Sequence, residues 1–368
     1  MKIIFSTDQI FLHGGIEKAI AEKANYFADK LGFEVTILTN QQKGKDPIYK
    51  LSDKIQLIDI DIDLAQGKSF YSFCNVKQIP KNYTQIKKVF YNIDPDVVIV
   101  CNYGYDFYMI PFLHKKSKKI KEFHSSRYFE STDRHVTKSF FKHSYYKIND
   151  WVESKYTHVV VLNKDEVPYY NSNNVVVIPN PISVSNKQAL LTCKAVIAAG
   201  RIAPVKGFDK LIKAWKIVNL SDPQWELHIY GDDYLQTRQK LEKLIHENGL
   251  SSTVIFKGTS SDMTETFLNY SLYAMSSVTE CFPMVLLEAL SVGLPIVSFD
   301  CPNGPRNILT NQEDGLLAQD QNSADLAKKL LVLIQDVEKR KKFGMQAKIN
   351  SQKFDTATVM KNWVNLFN

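Results

Sequence analysis

The sequence predicts an α/β protein made of two doubly wound parallel-sheet domains. Three observations carry that expectation. Short β-branched runs alternate with longer amphipathic stretches along most of the chain, the pattern of repeated strand–helix–strand units. The alternation breaks at Pro179-Asn180-Pro181 and restarts cleanly afterwards, and prolines of this kind stop any regular element. A length of 368 residues suits two domains of ordinary size better than one.

Residues 2–6 read as a buried first strand, and a loop of turn formers leads to Gly14-Gly15. A helix runs from there to about residue 31, closed by Gly32 where a left-handed residue is favoured. Residues 34–39, 96–101, 119–124, 157–163 and 175–178 are the next strand candidates. The stretch 179–194 is the expected linker, which gives domains over 1–180 and 181–354. Beyond it, strands are expected at 195–200, 225–230, 254–257, 272–276 and 295–299. Helices are expected at 208–218, 236–247, 284–292 and 324–334. A last helical stretch, 357–367, carries Met360, Trp363, Val364 and Phe367 on one face. Two such Rossmann-like blocks, facing each other, hold ligands beyond the carboxyl ends of their strands.

Composition excludes several classes. No run approaches the ~20 apolar residues that span a bilayer. The start, one short apolar run followed by Asp8, has no signal-peptide cleavage site. The protein is therefore expected in the cytoplasm. Five scattered cysteines without a Cys-x-x-Cys spacing read as reduced, mostly buried thiols. The net charge of +7 is compatible with anionic ligands, nucleic acid or an anionic membrane and selects none of them. No nucleic-acid motif is present, so nucleic acid is not an expected partner. Basic and aromatic residues interleave at 114–121, at 140–147 and more loosely at 71–91. That pattern fits peripheral docking on the inner face of a membrane as well as it fits a solvated face.

Four places carry candidate chemistry. The first is Thr279-Glu280-Cys281-Phe282-Pro283-Met284-Val285-Leu286-Leu287-Glu288. Pro283 suits the first helical position, which leaves the N–H groups of Met284, Val285 and Leu286 free at a helix start that attracts phosphate. Glu280 precedes the helix and can accept from sugar hydroxyls. Glu288 lies in an apolar helix and needs a partner. For either carboxylate alone, a salt bridge or a helix-flank charge is the simpler account. The second is Gly200-Arg201-Ile202-Ala203-Pro204-Val205-Lys206-Gly207, leaving a strand and entering a helix. A guanidinium fork and a mobile ammonium suit a diphosphate, although an exposed basic loop reads equally well. It is not a P-loop. The third is Gly14-Gly15-Ile16-Glu17 at a helix start, where glycine lets backbone approach a ligand closely. The fourth is His124 at a strand's carboxyl end, followed by Ser125-Ser126-Arg127.

Glu280 and Glu288 stand at an E-x7-E spacing. With Arg201, Lys206 and the Gly14-Gly15 loop they resemble glycosyltransferase family 4, firmly over residues 195–317 and more thinly in the N-terminal half. The resemblance implies the GT-B fold, with 355–368 crossing back onto an acceptor-side N-terminal domain and 181–354 binding the donor nucleotide. It implies a transfer that retains anomeric configuration from a nucleotide diphosphate sugar, with no other cofactor. On that likeness Arg201 and Lys206 bind the diphosphate, Glu280 holds sugar hydroxyls and Glu288 holds the ribose. Met284 and Val285 meet phosphate, Gly15 approaches it from the other domain, and His124 lies beside the reacting sugar.

Two departures stand out. The usual Glu-Gly-Phe-Gly reads Glu280-Cys281-Phe282-Pro283, where Cys281 narrows the sugar pocket. The usual Gly-Gly-x-x-Glu reads Asn303-Gly304-Pro305-Arg306-Asn307, and residues 299–306 resemble a branch that builds surface polysaccharides and lipid-linked glycans from UDP-sugars. Metal is not expected, because Asp59, Asp61, Asp63, Asp232 and Asp233 read as solvated loop charges. The competing readings are a sugar-nucleotide epimerase of the same fold and a catalytically silent sugar-nucleotide-binding scaffold.

Overall fold

A strand covered on both faces is apolar along its length, and most strands of this chain follow that rule. The computed structural model describes residues 1–62, 64–65 and 72–368; Asp63 and Tyr71 lie outside the described residues. Seven strands form the first sheet: β1 (Lys2–Thr7), β2 (Glu34–Thr39), β3 (Gln56–Asp59), β4 (Val97–Val100), β5 (Lys118–Glu122), β6 (His158–Val161) and β7 (Val175–Val177). Six form the second: β8 (Ala195–Ala199), β9 (Glu226–Tyr230), β10 (Val254–Gly258), β11 (Leu272–Met275), β12 (Ile296–Phe299) and β13 (Gly315–Ala318). The orders are β3-β2-β1-β4-β5-β6-β7 and β10-β9-β8-β11-β12-β13, and the central pairs β1–β2, β1–β4, β8–β9 and β8–β11 are parallel. The expected architecture of two doubly wound sheets is the one observed. The order reverses between β1 and β4 and between β8 and β11, the switch points where open α/β sheets form ligand crevices.

The described residues divide into two compact units, Met1–Pro181 with Thr356–Asn368, and Ile182–Asp355. In the first, the helix Gly15–Asp29 buries Ile20, Ala24 and Phe27 against Phe5 and Ile37 of the sheet. The C-terminal helix Thr356–Phe367 adds Val359, Met360, Trp363 and Phe367 to the same core, the return that the family resemblance implied. The opposite face of the sheet is covered by Ile86 and Phe90 of the helix Ile79–Ile93 and by Val152 of the helix Phe140–Glu153. In the second unit, Leu211, Trp215 and Val218 of the helix Phe208–Ser221 are buried. So are Leu326, Leu330 and Leu333 of the helix Ser323–Gln335.

Three expectations change. Residues 182–194 are not a free tether: Ile182 N–H donates to Phe354 O, Ala189 N–H to Val292 O, and Leu191 is buried. Pro283 is the N-cap, and the helix it introduces is Met284–Ser291. The lysine-rich stretch 114–121 is a solvated basic face only in part, at the exposed Lys115 and Lys116. Lys119 and Lys121 are buried in β5, and the Lys121 ammonium donates to the carbonyls of Val100, Asn102 and Glu122. Three carbonyl dipoles satisfy the charge, since a buried ammonium needs acceptors.

Trp363→Ala removes a fully buried side chain and should lower the stability of the first unit by about 3–5 kcal/mol. Denaturant unfolding followed by the remaining tryptophans measures the loss.

Candidate active site

In the second unit the loop after β8 is built for close backbone approach. Gly200 takes φ +153° and Gly231 φ +150°, and a Cβ on Gly231 would lie 1.9 Å from the Gly200 carbonyl oxygen. The Ile202 N–H donates to Asp232 O at 2.8 Å, so the loops after β8 and β9 run side by side. Arg201 is exposed there, its guanidinium 5.2 Å from the centre of the Tyr234 ring, within cation–π range.

The same loop is clasped to the one after β11, across the switch point. Ser276 Oγ donates to Lys206 O at 2.9 Å, and the Val278 N–H donates to Val205 O at 2.8 Å. Gly207 closes the short turn Pro204–Lys206 in the left-handed region, φ +60°, and a Cβ there would lie 2.1 Å from the Ser276 carbonyl oxygen. This clasp brings the Lys206 ammonium to 2.6 Å from Glu280 Oε1. Ser277 Oγ donates to the same oxygen at 2.7 Å. A Cβ at Gly304 would meet Glu280 Cβ at 2.5 Å, so the Asn303-Gly304 segment backs the carboxylate.

The helix Met284–Ser291 begins beside it. Leu286 N–H closes back onto Pro283 O at 3.1 Å, so of the three N–H groups expected at this helix start only those of Met284 and Val285 lie ahead of the hydrogen-bond ladder. Glu288 is one turn further in, buried at 6% exposure, and it has partners. Cys281 is buried as well. Arg201, Lys206, Glu280, Met284, Val285 and Glu288 thus fall at the carboxyl ends of β8 and β11 or on the helix that follows β11.

The first unit holds the remaining candidates. Gly14 caps the helix Gly15–Asp29 in extended backbone. The Glu17 carboxylate folds back over it, 2.1 Å from where a Cβ would stand, and accepts from Gln9 Nε2 at 2.5 Å. β5 ends at Glu122, two residues before His124, so His124 stands just past the strand. Its side chain is 3% exposed, with Nε2 3.3 Å from Glu122 Oε2. Burial lowers its pKa, partly opposed by the Glu122 charge. Cys101, Glu122 and His124 bring sulfur, oxygen and nitrogen within 4.8 Å of one another. That donor set does not suit a cation. Lys23 already pairs with the Glu122 carboxylate, and burial pushes the Cys101 thiol up, away from the thiolate that binds metal. Asp59, Asp61, Asp232 and Asp233 are exposed.

Sequence reasoning missed Ser277, Tyr234, Lys23 and Glu122. Two of these left a trace. Glu122 and His124 are two apart at a strand end, which puts them on one face. Lys23 sits at a helix position otherwise lined by Ala19, Ile20 and Phe27.

The chain is similar to known proteins in sequence and in fold. Residues 185–350 match the family model described as Glycosyl transferases group 1. An uncharacterized glycosyltransferase of Haemophilus influenzae is 26% identical over 98% of both chains. The poly(ribitol-phosphate) alpha-N-acetylglucosaminyltransferase of Staphylococcus aureus is 27% identical over 74% of this chain, which spans 55% of that protein. Among solved structures, a mutant of S. aureus TarM in complex with Fondaparinux, alpha-GlcNAc-glycerol and UDP has a TM-score of 0.83 at 18% identity, covering 100% of this chain and 99% of that one. Anabaena HepE in complex with UDP and glucose has a TM-score of 0.76 at 18% identity, covering 99% and 98%.

The solved structures share the two-sheet fold, and the family match falls within the second unit. The Lys206–Glu280 clasp belongs to the unit that carries the family match, and Gly207 closes the turn that precedes it. Gly207→Ala should lower the stability of the second unit by about 1–3 kcal/mol, through the left-handed backbone and the Ser276 clash. Chemical denaturation of the variant against wild type measures it.

Proposed function

We propose that the protein is a retaining family 4 glycosyltransferase that moves a hexose or N-acetylhexosamine from a UDP-sugar to a glycan or lipid-linked acceptor in surface polysaccharide synthesis. The observation that carries this reading is the meeting of Lys206, Glu280 and Ser277 beside the start of the helix Met284–Ser291, with Arg201 on the adjoining loop. Two cations and a helix N-terminus form an anion site, and a carboxylate beside them can receive sugar hydroxyls.

On this reading Arg201, Lys206 and the N–H groups of Met284 and Val285 stabilise the charge that builds on the departing diphosphate. Preorganised donors of this kind contribute roughly 3–4 kcal/mol each to a transition state. Glu280 holds the sugar and Glu288 the ribose. The acceptor hydroxyl attacks from the face the diphosphate leaves, and a phosphate oxygen takes its proton. Gly14 and Gly15 allow backbone to approach phosphate, and His124 meets the sugar. Glu280 is engaged by Lys206 and Ser277, which favours a holding role over that of a nucleophile. The cations supply the charge that a metal ion would otherwise bring, so no metal is invoked. UDP is favoured because the TarM and HepE structures named above hold it. A surface polymer is favoured because similar proteins include the poly(ribitol-phosphate) enzyme above and a poly(glycerol-phosphate) alpha-glucosyltransferase of Bacillus subtilis.

We also propose that the protein works at the inner face of the cytoplasmic membrane. Among the described residues no helix is long and apolar enough to cross a membrane. Phe140 and Phe141 are 78% and 85% exposed at a helix start, flanked by exposed Lys138, His143 and Lys147. Aromatic and basic groups together suit an anionic lipid surface.

The first test is a thermal-shift screen of UDP, GDP, ADP and their sugars, run in EDTA. UDP compounds should stabilise the wild type, by about 2.7 kcal/mol at a hundred times Kd, and should not stabilise Arg201→Ala/Lys206→Ala. No stabilisation by any nucleotide at millimolar concentration refutes the donor site; stabilisation without turnover of any donor moves the scaffold reading ahead. The second test is flotation with anionic vesicles at low salt. Wild type should float and Phe140→Ser/Phe141→Ser should not; a wild type that stays at the bottom ends the membrane proposal.

A further inference from the structure

Behind His124 lies a charged cluster that the reading above does not use. Lys23, on the helix Gly15–Asp29, is fully buried, and its ammonium reaches both oxygens of Glu122. The same ammonium lies 4.7 Å from the centre of the Trp363 ring on the C-terminal helix, so an aromatic face covers the cation. Glu122 is 1% exposed and also accepts from Cys101 Sγ at 3.5 Å. Burial opposes its ionisation, but the Lys23 charge holds the carboxyl below the usual carboxylate range. Lys121, the other nearby cation, is turned to backbone carbonyls. The anion is therefore permanent at neutral pH, and it stands 3.3 Å from His124 Nε2.

His124 itself is incomplete. Both ring nitrogens are buried, and neither makes a well-formed hydrogen bond within the chain. A buried polar atom without a partner is costly, because it has given up its water and gained nothing. An imidazole beside a fixed carboxylate keeps its proton on the nitrogen that faces the charge, and the other nitrogen is left as an acceptor.

We propose that the Lys23–Glu122 pair is a positioning device for His124, holding the imidazole proton on Nε2 and leaving Nδ1 as the acceptor for a hydroxyl of the donor sugar. This rests on the glycosyltransferase reading. Lys23 keeps Glu122 ionised, Trp363 shields the pair from water, and Glu122 sets the tautomer. Lys23 and Glu122 are positioning residues and touch no substrate.

Imidazole nitrogen NMR of the full chain labelled at histidine tests the idea, with the His124 signals identified by their loss in His124→Gln. Wild type should show the Nε2–H tautomer at pH 8, above the ordinary titration range of an imidazole. In Glu122→Gln the side-chain carbonyl still accepts from Lys23 while the amide N–H faces the ring, so the Nδ1–H tautomer should gain. Turnover should then fall about tenfold, with the donor KM unchanged because the diphosphate site is intact. An Nδ1–H or charged ring in the wild type overturns the proposal without any variant. A tautomer shift in Glu122→Gln with unchanged kcat overturns the positioning role. An Nε2–H ring in a wild type that turns over no nucleotide sugar refutes the glycosyltransferase reading and, with it, the hydroxyl role, while the hold of Glu122 on the ring stands.

Discussion

Parallel strands cannot be joined by tight turns, so each strand must be followed by a crossover that returns the chain to the same end of the sheet. Every loop at the carboxyl end therefore collects on one rim, and where the strand order reverses the rim opens. The candidate donor residues depend on that constraint. β8 delivers Arg201 and Lys206 to one side of the reversal, and β11 delivers Ser277 and Glu280 to the other. In the first unit the same rule puts the Gly14-Gly15 loop after β1 and His124 after β5.

Within that frame, small residues decide how near the loops come. Gly207, Gly231 and Gly304 each stand where a Cβ would lie within 2.5 Å of a neighbouring atom. They let the loops after β8, β9, β11 and β12 close on one another, and the ion pair of Lys206 with Glu280 follows from that closure. Its side chains are 24% and 12% exposed. A pair this sheltered is screened less than a surface one, so it orders both groups before any ligand arrives. Buried charge in the first unit is handled differently. Lys23 and Glu122 neutralise each other, Arg127 pairs with Glu153, and Lys121 is met by carbonyls and the face of the Phe123 ring. Each of these charges has a partner, as burial requires, and the Lys23–Glu122 pair borders His124.

Much of the architecture was legible because strand and helix periods show in the side chains. β2 was expected and found at Glu34–Thr39, and the second-unit helices and strands that were expected fall within a few residues of their observed bounds. Two of the elements that escaped notice lack that signal. β3 leaves Gln56, Leu57 and Asp59 exposed, so no apolar run marks it. The helix Val337–Ser351 buries a regular stripe, but the stripe is Arg340, Phe343, Gly344, Ala347 and Asn350, where polar and small residues hide the period. The lysines of 118–121 misled for the opposite reason: a charged residue type says nothing about where its ammonium can find carbonyls.

The sequence by itself determined the class of fold, the returning C-terminal helix and the loops on which the candidate chemistry lies. These depend on residue type and spacing along the chain, which is local information. Only the tertiary structure decided which groups meet. Lys206 and Glu280 are 74 residues apart, and Lys23 and Glu122 are 99 apart. Such pairings are set by strand order and by the room that glycines leave, neither of which is written in the neighbourhood of either residue.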